Sequence, residues 1–268
     1  MTSWAEIADR VFVRRYPFFD QTIGVVLGRA GVALIDTRTT HAQADELRRE
    51  LRALTPLPLA AVINTHHHYD HTFGNARFLP APVWGHHRCA EALRAGGEAM
   101  RRRVMADLPD LAEELAEVVV TPPDRTFGES ASLELGDRRL ELRHLGRGHT
   151  DNDIVVQVPD AGVVFAGDLL ENDAPPSFGD AFPVAWAETV GSQLLPLVGD
   201  GKVVPGHGRP AGRELAERQA GELAQLAESI RGCVAGSLGI DAVMAASPYP
   251  AATTRVALDR GRRELDDG

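Results

Sequence analysis

The densest chemistry in the chain lies in Asn64-Thr65-His66-His67-His68-Tyr69-Asp70-His71, where four imidazoles and a carboxylate fall within six residues. A folded protein seldom crowds such groups without a cation for them to share. Neutral imidazole and carboxylate suit zinc, and also iron or manganese. In an extended segment alternate side chains share one side. On that spacing His66, His68 and Asp70 face one position, His71 faces another, and His67 and Tyr69 turn away. Three more donors stand later in the chain: His149 in Gly148-His149-Thr150-Asp151-Asn152-Asp153, Asp168 in Phe165-Ala166-Gly167-Asp168, and His207 in Val204-Pro205-Gly206-His207-Gly208. Gly-x-Ser-x-Gly does not occur, and no serine or cysteine nucleophile is required.

The elements that position these donors follow from the hydrophobic pattern. Strands are expected at 11–13, 23–27, 32–35, 60–63, 82–84, 132–135, 139–145, 154–158, 163–165 and 202–204. Helices are expected at 41–54, 87–117 (broken at Gly96-Gly97 and Pro109), 185–198, 212–235, 239–246 and 251–266. Each donor segment therefore sits just past a strand end, where loops on a rigid sheet usually carry sites. Strand clusters in both halves, each with helices to cover it, indicate an α/β protein with two sheets packed face to face.

Composition narrows the setting. The 268 residues are 44% hydrophobic and 25% charged, as in soluble globular proteins. A net charge of −10 opposes a nucleic-acid partner. No stretch approaches the roughly 18 apolar residues of a membrane helix. Glu6 and Asp9 stand where a secretory leader would carry basic and then apolar residues. The two cysteines, Cys89 and Cys233, fit a reducing compartment. The expectation is a cytoplasmic protein acting on a small molecule, with no membrane attachment and an undetermined oligomeric state.

The order His-x-His-x-Asp-His, Gly-His-Thr, Gly-Asp, Pro-Gly-His-Gly resembles the metallo-β-lactamase superfamily across residues 11–208. That resemblance implies an αββα sandwich, two mixed sheets flanked by helices, as a single domain over 1–268 with the helices of 212–266 packed on the core. It implies two Zn²⁺ ions, with iron or manganese as alternatives. His66, His68 and His149 would hold the first ion, Asp70, His71 and His207 the second, and Asp168 would bridge them. A metal-bridging hydroxide would be the nucleophile, with Asp70 and Asp168 offsetting the charge at the catalytic centre. Asp36, at a strand end, either orients a ligand histidine or is an ordinary turn residue. Phe18 and Phe19 belong to a flap over the metals or to the core, and Phe178 belongs to a second wall at 172–183.

An aspartate at position 168 resembles the glyoxalase II branch, since the zinc β-lactamases lack it. The function implied is hydrolysis of a small ester, lactone, thioester or amide. The alternatives are a mononuclear iron oxidoreductase of the persulfide-dioxygenase kind, matched at His66, His68, His149 and Asp168, or a β-lactam hydrolase. A metal-bound protein without catalysis is disfavoured by the complete donor set. His86-His87, His144 and His41 read as capping, packed or surface residues, and Arg101-Arg102-Arg103 as a solvated helix face.

Overall fold

The computed structural model describes residues 4–266; residues 1–3, the first of the segment read for a leader, and residues 267–268 lie outside the described residues. The chain divides into two compact units, one built on residues up to His144 together with Ile154–Ala161, the other on Leu145–Asp153 and the chain from Gly162 onward.

In the first unit β1 (Ala5–Ala8), β2 (Val11–Tyr16), β3 (Gln21–Leu27) and β4 (Val32–Ile35) form an antiparallel meander. Pairing then becomes parallel through β5 (Leu59–Ile63), β6 (Val83–His86) and β7 (Arg125–Phe127). Parallel neighbours need a crossover, and α1 (His41–Leu54) supplies the first. Its start is capped by the Thr40 side chain, which accepts from Gln43 N. Its apolar stripe, Ala44, Leu47 and Leu51, packs into a core with Ile23, Val25, Leu34 and Val62. The parallel register sets Ile35 opposite Ile63. Asp36 and Asn64 therefore leave the sheet side by side, and this alignment organises the site.

A short helix, α2 (Tyr69–Thr72), interrupts the donor segment, and α3 (His87–Asp107) follows β6. Contrary to expectation, α3 runs unbroken through Gly96-Gly97. Gly97 is buried, and a Cβ there would come within 2.6 Å of Val120, so the glycine serves close packing and not a turn. The break expected at Pro109 is present as a 3-10 turn, Pro109–Leu111, before α4 (Ala112–Ala116). The strands β8 (Ser130–Glu134), β9 (Arg139–Arg143) and β10 (Val155–Val158) pair antiparallel in sequence. The short strands β1 and β7 had no sequence signal, because none of their side chains is fully buried and they carry no alternating pattern.

In the second unit β11 (Val163–Glu171) runs parallel to β12 (Lys202–His207), which pairs antiparallel with β13 (Ala211–Gly212). All nine residues of β11 are buried, as in a strand covered on both faces. The strand is longer than expected, so Asp168 and His207 lie within strands and not beyond their ends. The register shifts between Phe165 and Gly167 and again before Glu171. Such irregularities bend a strand and re-aim its side chains. The helical run expected at 185–198 is α5 (Pro183–Glu188), a π-helical turn (Thr189–Leu194) and α6 (Leu195–Val198). Pro196 lacks an N–H and cannot keep a regular α ladder there. Three helices close the chain: α7 (Arg213–Val234), α8 (Ile240–Ala246) and α9 (Ala251–Asp266). Among the described residues no helix is long and apolar enough to cross a membrane.

Candidate metal centre

In the first unit the donor segment leaves β5 and enters α2 almost at once. His71 N bonds to His68 O at 3.1 Å, and Thr72 Oγ1 donates to the same carbonyl at 2.9 Å. The segment is therefore not extended through Asp70, as the spacing alone suggested. The turn brings the His71 ring to 4.2 Å from the His66 ring, and the His68 ring lies 4.7 Å from His66. His66 and His71 are fully buried, and Asp70 nearly so.

The hydrogen bonds fix which ring nitrogen carries the proton. Asp36 Oδ2 accepts from His71 Nδ1 at 2.8 Å. Asp36 also accepts from Thr65 N at 2.9 Å and from Thr65 Oγ1 at 2.8 Å. Since that hydroxyl donates its proton to Asp36, its lone pair accepts from His66 Nδ1 at 3.1 Å. Both imidazoles are thus protonated at Nδ1, which leaves Nε2 as a lone pair. His71 Nε2 stands 3.4 Å from Asp70 Oδ2.

The second unit repeats the arrangement. His149 Nδ1 donates to Ser177 O at 3.1 Å, so its Nε2 is also a lone pair. That Nε2 and the Nε2 of His207 each stand 3.4 Å from one oxygen, Asp168 Oδ2. Charge-assisted bonds to carboxylate are about 2.7–2.9 Å. At 3.4 Å both contacts are longer than such bonds, and the Nε2 lone pair of His149 faces a carboxylate lone pair. A cation shared by both atoms relieves that repulsion, so the donor set of each unit fits metal ligation. His66, His68, Asp70 and His71 in the first unit, and His149, Asp168 and His207 in the second, are among the side chains placed to hold an ion.

A family model of the metallo-beta-lactamase superfamily matches residues 16–218. The chain belongs to that superfamily. It is 27% identical over 209 residues to metallo-beta-lactamase type 2 of Bacteroides fragilis, 76% of each chain. It is also 25% identical over 222 residues to a linear primary-alkylsulfatase of Pseudomonas sp. (strain ATCC 19151), covering 70% of this chain and 41% of that protein. The solved metallo-beta-lactamase from Pontibacter korlensis superposes with a TM-score of 0.64 at 20% identity, covering 83% of this chain and 99% of that one. The fold is the α/β fold of the superfamily, with mixed sheets flanked by helices.

Within the superfamily frame, supporting residues outnumber the donors. Asn75 donates to Asn64 Oδ1 at 2.7 Å and to Thr121 O at 2.8 Å, while Asn64 and Thr37 donate to His71 O. This buried network holds the backbone of α2. In the second unit Gln219 clamps β11 just beyond Asp168: its amide donates to Leu169 O at 2.8 Å and accepts from Glu171 N at 3.0 Å. Trp186 Nε1 donates to the same Leu169 carbonyl at 3.1 Å. Gly206 admits the Asp168 carboxylate, since a Cβ there would lie 1.9 Å from Asp168 Oδ1. Sequence reasoning missed Gln219; a polar residue within the apolar stripe of α7 was the available signal.

The expected substrate walls divide. Phe19 is 44% exposed, sits at φ 53°, and lies edge-on to Tyr69 at 6.2 Å, beside α2. Phe18 packs on Phe19 with ring centroids 4.3 Å apart. Phe178 is 2% exposed and packs on Trp186 and Tyr249, within the core of its unit. His86, outside the donor set, caps α3 by accepting from Arg88 N and stacks on His144.

Proposed function

We propose that the protein is a hydrolase of a small ester, lactone, thioester or amide that works with two metal ions. One observation carries this reading: His149 and His207 both aim Nε2 at Asp168 Oδ2 from 3.4 Å. In it His66, His68 and His149 would hold one ion, Asp70, His71 and His207 the other, and Asp168 would serve both. When bound, such ions supply an activated water at neutral pH and polarise the scissile carbonyl.

The protein's own groups prepare that chemistry. Asp36, Thr65 and the Ser177 carbonyl accept from Nδ1 of three imidazoles and so fix the orientation of each ring. Asp70 and Asp168 offset cationic charge. Phe19 offers an apolar surface to substrate. The aspartate at 168 aligns the site with the glyoxalase II branch. The Bacteroides relative, alike over 76% of both chains, favours β-lactam hydrolysis as the second reading.

The test is metal content measured alongside turnover of chromogenic esters, lactones, thioesters and a cephalosporin. Close to two metals per chain are expected, with His71→Ala or His207→Ala losing mainly one ion and His66→Ala or His149→Ala mainly the other. One metal per chain after purification in excess zinc would overturn the two-ion reading. Turnover of the cephalosporin alone would replace the substrate class. A single iron with oxygen uptake would move the protein to the oxidoreductase alternative.

A further inference from the structure

A cavity of about 350 Å³ opens in the first unit where the last turn of α1 meets the start of β5. That volume is within the usual range of small-molecule sites, about 300–1,000 Å³. Leu59 lines it at one end of β5, whereas His66 follows the other end; the five-residue strand spans about 16 Å. The cavity is thus separate from the metal donors of its unit.

Its lining combines two chemistries. Leu51, Leu57 and Phe78 make an apolar floor, and Leu79, 55% exposed, stands at the mouth. Arg48, Arg52 and Arg77 also line it. Arg77 grips Asp45 through two bonds of 3.1 and 2.7 Å. Arg48 lies 3.4 Å from the same carboxylate and donates to Arg77 O at 3.1 Å. One carboxylate therefore serves two guanidiniums, and among the described residues no carboxylate pairs with Arg52. A basic residue at a helix C-terminus is favoured by the helix dipole. That accounts for Arg52 on the helix, but not for three cations around an apolar cavity.

Guanidinium recognises planar and tetrahedral oxyanions through its fork of donors. An inorganic anion would leave the leucines and Phe78 uncovered, and a neutral chain would leave Arg52 without a counter-charge. We propose that this cavity binds an amphiphilic monoanion, an aliphatic chain ending in a carboxylate or sulfonate-type headgroup.

Calorimetric titration of the metal-loaded protein tests this with octanoate, octanesulfonate, acetate and octanol. Saturable binding of octanoate or octanesulfonate is expected, weakening with salt, while acetate and octanol bind at least tenfold more weakly. A headgroup preference between the two long-chain anions names the source. Arg52→Gln and Leu79→Glu, both at exposed positions, should each weaken the anion about tenfold without changing metal content. Four results would overturn the proposal. They are equal binding of octanol, equal binding of acetate, no binding at millimolar concentration, and affinity unchanged in both variants. The last would place the anion at the metal centre.

Discussion

Asp36 Oδ2 and His71 Nδ1 stand 2.8 Å apart, both buried, Asp36 just past the end of β4 and His71 within α2, beyond the neighbouring strand β5. The carboxylate sets the tautomer of His71 directly and that of His66 through Thr65. Removing such a partner typically costs 10–100-fold in metal affinity. Asp36→Ala should weaken metal retention by about that factor, read by competition with a chromogenic chelator. Unchanged retention would make Asp36 a turn residue only.

Asp168→Asn should lower kcat far more than it raises KM. The carboxylate faces two imidazoles, and an interaction made mainly in the transition state appears in kcat. A loss of two orders of magnitude corresponds to about 2.7 kcal/mol. Near-normal turnover with both metals retained would sink the bridging role.

Gln219→Ala removes the clamp on β11, leaving Glu171 N buried without its acceptor. The expected loss is about 1–3 kcal/mol of folding stability, measured by urea unfolding. Leu169 O keeps its bond from Trp186, so the effect should fall short of unfolding. A loss below about 0.5 kcal/mol would show that the strand holds its course without the clamp.

Burial, and then the neighbouring charges of His144, His87 and Arg88, push the His86 imidazole down to about 4. An unfolded histidine titrates near 6.5. Between those values the unfolded chain binds more protons than the folded one, so this group's effect lowers stability as pH falls from about 6.5 to about 4. Above about 6.5 it has no effect. His86→Asn retains a capping side chain and should flatten that acid loss relative to the parent protein. Parallel stability curves from pH 7 to 4 would refute the assignment.

With a net charge of −10, specific RNA or DNA binding should be absent at physiological salt. Filter binding over a range of salt concentrations tests it. Tight, salt-sensitive retention would overturn the argument from charge.

Much of the site was readable in one dimension. The donors announce themselves by residue type, and the strands leading to them by unbroken apolar runs such as Val32–Ile35 and Leu59–Ile63. Both are local properties, set by side-chain chemistry and by the two-residue repeat of a strand. The helix over His41–Leu54 was equally local, with leucines at helical spacing.

What the sequence determined by itself was the donor chemistry, most of the elements and the class of fold. Tertiary structure decided the rest, because it depends on partners distant in the chain. Gly97 continues a helix because Val120 packs on it, although a glycine pair in isolation reads as a break. Phe178 is core because Trp186 and Tyr249 close over it. The protonation of His71 is set by a carboxylate 35 residues away, and the course of β11 past Asp168 by an amide 50 residues beyond Leu169. Hydrogen bonds of that span exist only after folding has excluded water, and they turn a set of histidines and aspartates into aligned lone pairs.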